Sequence, residues 1–260
     1  MHRLTQLSPV LYAVERWKGG ALDVRGLVLT GDRYTIVFDT LYSPRDMAQV
    51  LDLAERRRRP LLVIDSHADY DHAWGNGAFP NAPVVGHVAC RERLLAEGAY
   101  LEEKRREDPE EYATSRLIAP DIVFDHTLSI DAGGFTVVLH HLPGHSRDCL
   151  VAHVPEQRLL LAGDTAESPF PLLGDGPLDD WIAALERWAA DPRVETVIPA
   201  HGPVSGTELL LANARYLATL AEGRDDGWTP GEDAPEFYRR MHPRNVTRAA
   251  ELGAPRAGIS

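Results

Sequence analysis

The apolar residues of this chain come in short runs closed by turn residues, a rhythm that predicts strands more often than helices. Val10-Leu11-Tyr12-Ala13-Val14, Leu27-Val28-Leu29 and Tyr34-Thr35-Ile36-Val37-Phe38 read as strands, with Gly31-Asp32 as the tight turn between the last two. Pro44 opens a helix that the pattern carries to about Arg58, with Met47, Val50, Leu51 and Ala54 on one face. Leu61-Leu62-Val63-Ile64 then reads as a buried strand, and Pro83-Val84-Val85 as a shorter one. Residues Val88 to Tyr112 are helical in pattern, strongly charged, and divided by Pro109. They form either a surface helix pair or a flap beside a cleft.

A second β-rich half opens near Asp121. Its predicted strands are Ile122–Phe124, Leu128–Ile130, Phe135–Leu139, Cys149–Ala152 and Arg158–Leu161. An amphipathic helix from Asp179 to Ala190 follows, capped by Asp179, with Trp181, Ile182, Leu185 and Trp188 sharing its core face. Val194 to Ile198 is a last strand and Thr207 to Ala221 a last regular helix. Strands followed by a helix, twice over, predict two packed sheets with helices outside, in one domain over residues 1–221. Residues 222–260 read as a C-terminal tail with a helix from Ala234 to about Leu252, packed on that domain or serving a homodimer contact.

Candidate chemistry concentrates where strands end. Directly after Leu61–Ile64, the stretch Ser66-His67-Ala68-Asp69-Tyr70-Asp71-His72 gathers side chains that can bind a metal: His67, Asp69, Asp71 and His72. Later strand ends supply His145 in Pro143-Gly144-His145-Ser146, Asp164 in Gly163-Asp164, and His201 in Pro199-Ala200-His201-Gly202. Each is introduced alike, by an apolar strand, a small or rigid residue, and then the ligand type.

These motifs, in this order, resemble the metallo-β-lactamase fold superfamily of metal-dependent hydrolases. Asp39 at the end of the third strand and Gly75-Asn76 after the first motif match as well, and the resemblance covers roughly residues 8 to 220. It implies a four-layer αββα sandwich of two mixed sheets with the site at their edge. It also implies two divalent metal ions, zinc by family. One would be held by His67, position 69 and His145, the other by Asp71, His72 and His201, with Asp164 bridging. The implied reaction uses a metal-bound hydroxide to cleave an ester, thioester or lactone-type bond of a small molecule, with Asp71 or Asp164 handling the proton. Aspartate rather than cysteine at position 164 brings the pattern closer to the thioesterase and lactonase branches.

Position 69 departs from the family, which has histidine there. The carboxylate adds negative charge and makes His67, Asp69 and His145 a two-histidine, one-carboxylate set, so manganese or iron becomes an alternative to zinc. That set keeps a single-iron dioxygenase acting on sulfur compounds open as a second reading, beside a phosphodiesterase or nuclease relative and a non-catalytic metal-binding relative. Tyr70 is read as either packing or lining the substrate cleft, and Phe170, with Leu172 and Leu173, as an apolar wall of that cleft. Trp74 is expected to pack over the loop, and the remaining histidines to be surface or hydrogen-bonded residues.

Composition narrows the partners. The 260 residues carry a formal charge of −12, which argues against nucleic acid as the ligand. The basic run Arg56 to Arg59 sits where it complements a helix C-terminus. Two distant cysteines give no disulfide framework, and no stretch is long and apolar enough for a membrane span, so a cytoplasmic protein is expected.

Overall fold

A computed structural model of the protein describes residues 1–19, 21–225, 227–231 and 235–253. Strands β1 (His2–Ser8), β2 (Leu11–Lys18), β3 (Ala21–Thr30), β4 (Thr35–Phe38), β5 (Leu61–Ile64), β6 (Val84–His87) and β7 (Ile122–Phe124) form a seven-stranded sheet in sequential order. It is antiparallel from β1 to β4 and parallel from β4 to β7. Strands β8 (Thr127–Asp131), β9 (Thr136–His141), β10 (Leu150–Val154), β11 (Leu159–Gly163) and β12 (Thr196–Pro199) form the second sheet, in the order β12-β11-β10-β9-β8. The helices are α1 (Ala48–Arg57), α2 (Tyr70–Ala73), α3 (Val88–Ala96), α4 (Gly98–Glu107), α5 (Pro109–Tyr112), α6 (Leu178–Ala190), α7 (Glu208–Ala221) and α8 (Glu236–Gly253).

Side-chain alternation along the strands builds the layers. In β4 and β5, Ile36, Phe38, Leu62 and Ile64 meet Leu139, Ala152, Leu161 and Ile198 of the other sheet in the central core. Their neighbours Val37 and Val63 face outward, onto Met47, Val50 and Leu53 at the first helical layer. On the far side, Val151, Leu160 and Val197 pack against Trp181, Leu185, Leu210 and Leu217, and Tyr238 and Ala249 of α8 join that cluster. The result is the αββα sandwich.

The sequence reading differs from this structure in places with local causes. β1 is an added edge strand whose residues are largely exposed, so it carries no apolar signature. The first helix begins as a 3-10 turn, Pro44–Met47, and Leu53 rather than Leu51 is buried on it. Arg58 closes α1 in the left-handed conformation. Asp179 lies inside the first turn of α6, whose N-cap position is Pro177. The tail helix begins at Glu236; the expected start, Ala234, lies outside the described residues.

Candidate metal centre

The strand ends converge, as the family resemblance implied. His67 follows β5, Asp164 follows β11, His201 follows β12 and His145 follows β9, while Asp71 and His72 lie in α2. Three groups bring their ligand atoms within 4.8 Å of one another: His67, Asp69 and His145; His67, His72 and Asp164; Asp71, His72 and His201. Asp164 lies between the two sides. Its Oδ1 is 3.3 Å from His72 Nε2 and 3.4 Å from His201 Nε2, and its Oδ2 is 3.8 Å from both His67 Nε2 and His145 Nε2. Asp69 Oδ2 is 3.2 Å from His145 Nε2 and 3.5 Å from His67 Nε2. All seven of these predicted residues are therefore brought together.

The rings are held from behind. His145 Nδ1 donates to the Leu172 carbonyl at 2.9 Å, and His201 Nδ1 to the Asp23 carbonyl at 2.6 Å. His72 Nδ1 meets the Asp39 carboxylate at 2.8 Å, and His67 Nδ1 meets the Ser66 hydroxyl at 3.0 Å. Fixing Nδ1 in this way turns Nε2, with its lone pair, toward the centre, the usual arrangement behind metal-ligating histidines. His67 Nε2, His72 Nε2 and Asp164 Oδ1 are buried and have no hydrogen-bond partner, which is costly unless a cation completes them. The donor set and these orphaned atoms together fit divalent metal ions.

Electrostatics agree. Burial pushes the His72 and His201 pKa values down, but Asp164 and its carboxylate neighbours outweigh it and raise both, so the pocket favours positive charge. Burial raises Asp71. Asp69 and Asp164 are held well below the usual carboxylate range despite burial, by the facing histidines.

The scaffold under the site was only partly visible in sequence. Asp39, in the left-handed region at φ 64°, accepts from the Ser66 amide and hydroxyl as well as facing His72. Arg25 reaches from β3 to the Pro199 and Gly202 carbonyls at 2.9 Å and so cradles the His201 loop. Asn76 is fully buried and links Thr40 to Asp65, more than turn chemistry alone required. Arg93 of α3 donates to Asp69 Oδ1 at 2.5 Å, so the charged helical excursion does lie beside the cleft.

Three further residues are resolved by packing. Tyr70 is partly buried in an aromatic group with Tyr42, Trp74, Tyr100 and Tyr112, and Trp74 packs as expected. Phe170 does not border the cleft. It is fully buried between Tyr216, Trp228 and Tyr238, because the helical layer takes its ring.

The metallo-beta-lactamase superfamily profile matches residues 20–201, which span the whole centre. The chain belongs to that superfamily. Among curated relatives of the metallo-β-lactamase superfamily, the acyl-coenzyme A thioesterase MBLAC2 of Homo sapiens is 25% identical over 227 residues, 75% of this chain and 78% of the relative. The metallo-beta-lactamase type 2 of Bacteroides fragilis is 24% identical over 228 residues, 80% and 82% of the two chains. The metallo-beta-lactamase structure from Pontibacter korlensis superposes with a TM-score of 0.63 at 20% identity, covering 81% of this chain and 96% of that one, a likeness of fold. The protein is a metallo-β-lactamase-like hydrolase. Among the described residues no helix is long and apolar enough to cross a membrane.

Proposed function

We propose that this hydrolase holds two divalent metal ions and cleaves an ester, thioester or lactone-type bond of a small molecule, with thioesters the favoured class. The observation that carries the reading is the convergence of unpartnered His67 Nε2, His72 Nε2 and Asp164 Oδ1 on one point. His67, Asp69 and His145 would hold one ion, Asp71, His72 and His201 the other, and Asp164 would serve both. Ions bound there would lower the pKa of a water toward neutrality and polarise the scissile carbonyl.

The chain's own groups do the rest. Asp71, whose carboxyl burial pushes up, is placed 3.5 Å from His201 Nε2 and is the residue assigned to take the proton from the attacking water and pass it to the leaving group. Asp164 is the second candidate for that role. Asp39, Leu172 and Asp23 keep the rings turned inward while the charge on the site changes. Tyr70, which lies between Asp69 and Asp71 in the sequence, is assigned to the substrate wall.

Thioesters are favoured by aspartate at position 164 and by the thioesterase among the relatives. The single-iron dioxygenase reading needs only His67, Asp69 and His145; the equally complete Asp71, His72 and His201 group counts against it. The test is metal analysis followed by a panel of thioesters, esters, lactones, β-lactams and phosphodiesters. Two metals per chain with thioester turnover is expected. One metal or fewer at saturation, or turnover confined to phosphodiesters, would sink the reading.

A further inference from the structure

The carboxylate at position 69 does not stand alone. Arg93, in α3, forks between two loops: its Nη2 donates to Asp69 Oδ1 at 2.5 Å, and its Nη1 to Asp148 Oδ1 at 2.7 Å. Asp148 is fully buried, and its Oδ2 accepts from the Ala68 amide at 2.8 Å. Glu97, at the C-cap of α3, receives the remaining contact from Nη2 at 3.2 Å. The guanidinium thus ties the loop carrying His67 and Asp69 to the loop carrying His145. It occupies one oxygen of Asp69 and leaves Oδ2 alone facing His145 and His67.

We propose that Arg93 is a positioning residue that makes Asp69 a one-oxygen, charge-damped ligand, and so sets which metal the His67, Asp69 and His145 group selects. This rests on the two-metal reading above. The histidines in the centre each have Nδ1 fixed from behind; Arg93 does the same for the carboxylate of the His67, Asp69 and His145 group. A free carboxylate in that place could chelate through both oxygens with its full charge, which suits harder ions that accept more oxygen ligands, such as manganese or iron(II). With Oδ1 held by a guanidinium, Asp69 offers a single oxygen of reduced donor strength. A single donor atom of damped charge is closer to what imidazole presents, and such a site favours zinc. The aspartate therefore need not move the centre away from zinc, in contrast to the expectation from its charge alone.

The experiment is competitive loading of the full-length protein with equimolar zinc and manganese, followed by metal counting per chain and cobalt(II) absorption spectra. Wild type should take two zinc ions. Arg93→Met should hold the first zinc roughly 10–100-fold more weakly and shift toward manganese, the scale seen when a ligand's supporting partner is lost. Arg93→Lys, which keeps the charge but cannot fork, should fall between. The decisive comparison adds Asp69→Asn. If Arg93 acts through Asp69, Arg93→Met should have little further effect on first-site affinity in the Asp69→Asn background. An equal loss in both backgrounds, or Arg93→Met with wild-type affinity and selectivity, would overturn the proposal. Wild type that fails to take up two metals at all would instead count against the two-metal reading.

Discussion

Asp39 Oδ2 lies 2.8 Å from His72 Nδ1, with both side chains fully buried. The same carboxylate accepts from the Ser66 amide at 2.7 Å and the Ser66 hydroxyl at 2.8 Å, so one residue of the strand end after β4 organises the loop after β5. Removing it leaves the buried Ser66 amide without this acceptor and His72 Nδ1 with only the Ser66 hydroxyl at 3.4 Å, a hydroxyl that His67 Nδ1 already meets. Asp39→Ala is expected to cost roughly 3 kcal/mol or more in unfolding free energy, since buried groups left without partners lose their full hydration. Asp39→Asn, which keeps the size but not the charge, should cost less stability yet still lower metal retention. Urea unfolding and metal content of both variants check this, and a wild-type result for Asp39→Ala would refute it.

A second expectation concerns pH. Glu167 is fully buried, its Oε1 takes the Tyr238 hydroxyl of α8, and its Oε2 has no partner. Burial, and then Asp164, push its pKa from 4.5 up to about 7, against the pull of His201. The folded state therefore holds this proton more tightly than the unfolded chain. Stability from this group is fully present below about pH 4.5, falls as pH rises toward about 7, and is flat above. The size is at most about 3 kcal/mol. Glu167→Gln should remove that part of the slope. Unfolding of metal-free wild type and variant at pH 5 and pH 8 measures it; identical pH dependence in the two would show that Glu167 is not the titrating group.

Much of the centre was legible because each ligand candidate follows an apolar strand, so its place in the fold is fixed by the strand that precedes it. His145 after β9 and His201 after β12 are of this kind. Arg93 and Asp148 were not legible, since their meaning lies in a contact between residues 55 apart, and neither type is rare in a helix or a loop. The Leu172 and Asp23 carbonyls were invisible for another reason: a backbone acceptor has no residue type. Phe170 shows the converse error. Its apolar neighbourhood in sequence suggested a cleft wall, but the face of α7 and the tail helix compete for the same ring and bury it. β1 was missed because an exposed edge strand needs no apolar side chains.

On the two-metal reading, metal ions bind the folded chain and not the unfolded one, so their removal should lower stability by mass action. A thousandfold excess over Kd contributes roughly 4 kcal/mol per site. Chelation should therefore lower the unfolding temperature markedly, and added zinc should restore it. In His72→Ala, whose Nε2 is one of the orphaned atoms, the response to chelator should shrink. An unfolding curve indifferent to chelator in the wild type would speak against bound metal.

The last expectation follows from a close approach. A side-chain carbon placed on Gly144 would lie 2.5 Å from two atoms of the Trp181 ring, too close for any ordinary contact. The ring cannot simply swing aside, because it is fully buried and its Nε1 donates to the Thr165 carbonyl at 2.9 Å, next to Asp164. Gly144→Ala must therefore displace the loop that carries His145, at a cost of about 1–3 kcal/mol for overpacking. Because His145 moves, metal retention should fall by more than the loss of stability alone would give. Trp181→Phe removes the larger ring and its anchor, so in combination with Gly144→Ala it should recover part of the metal content even though Trp181→Phe by itself destabilises the helical layer. The pair is read by metal counting and thermal unfolding of the two single variants and the double variant. Effects that simply add would mean that the ring and the His145 loop are not coupled through this contact.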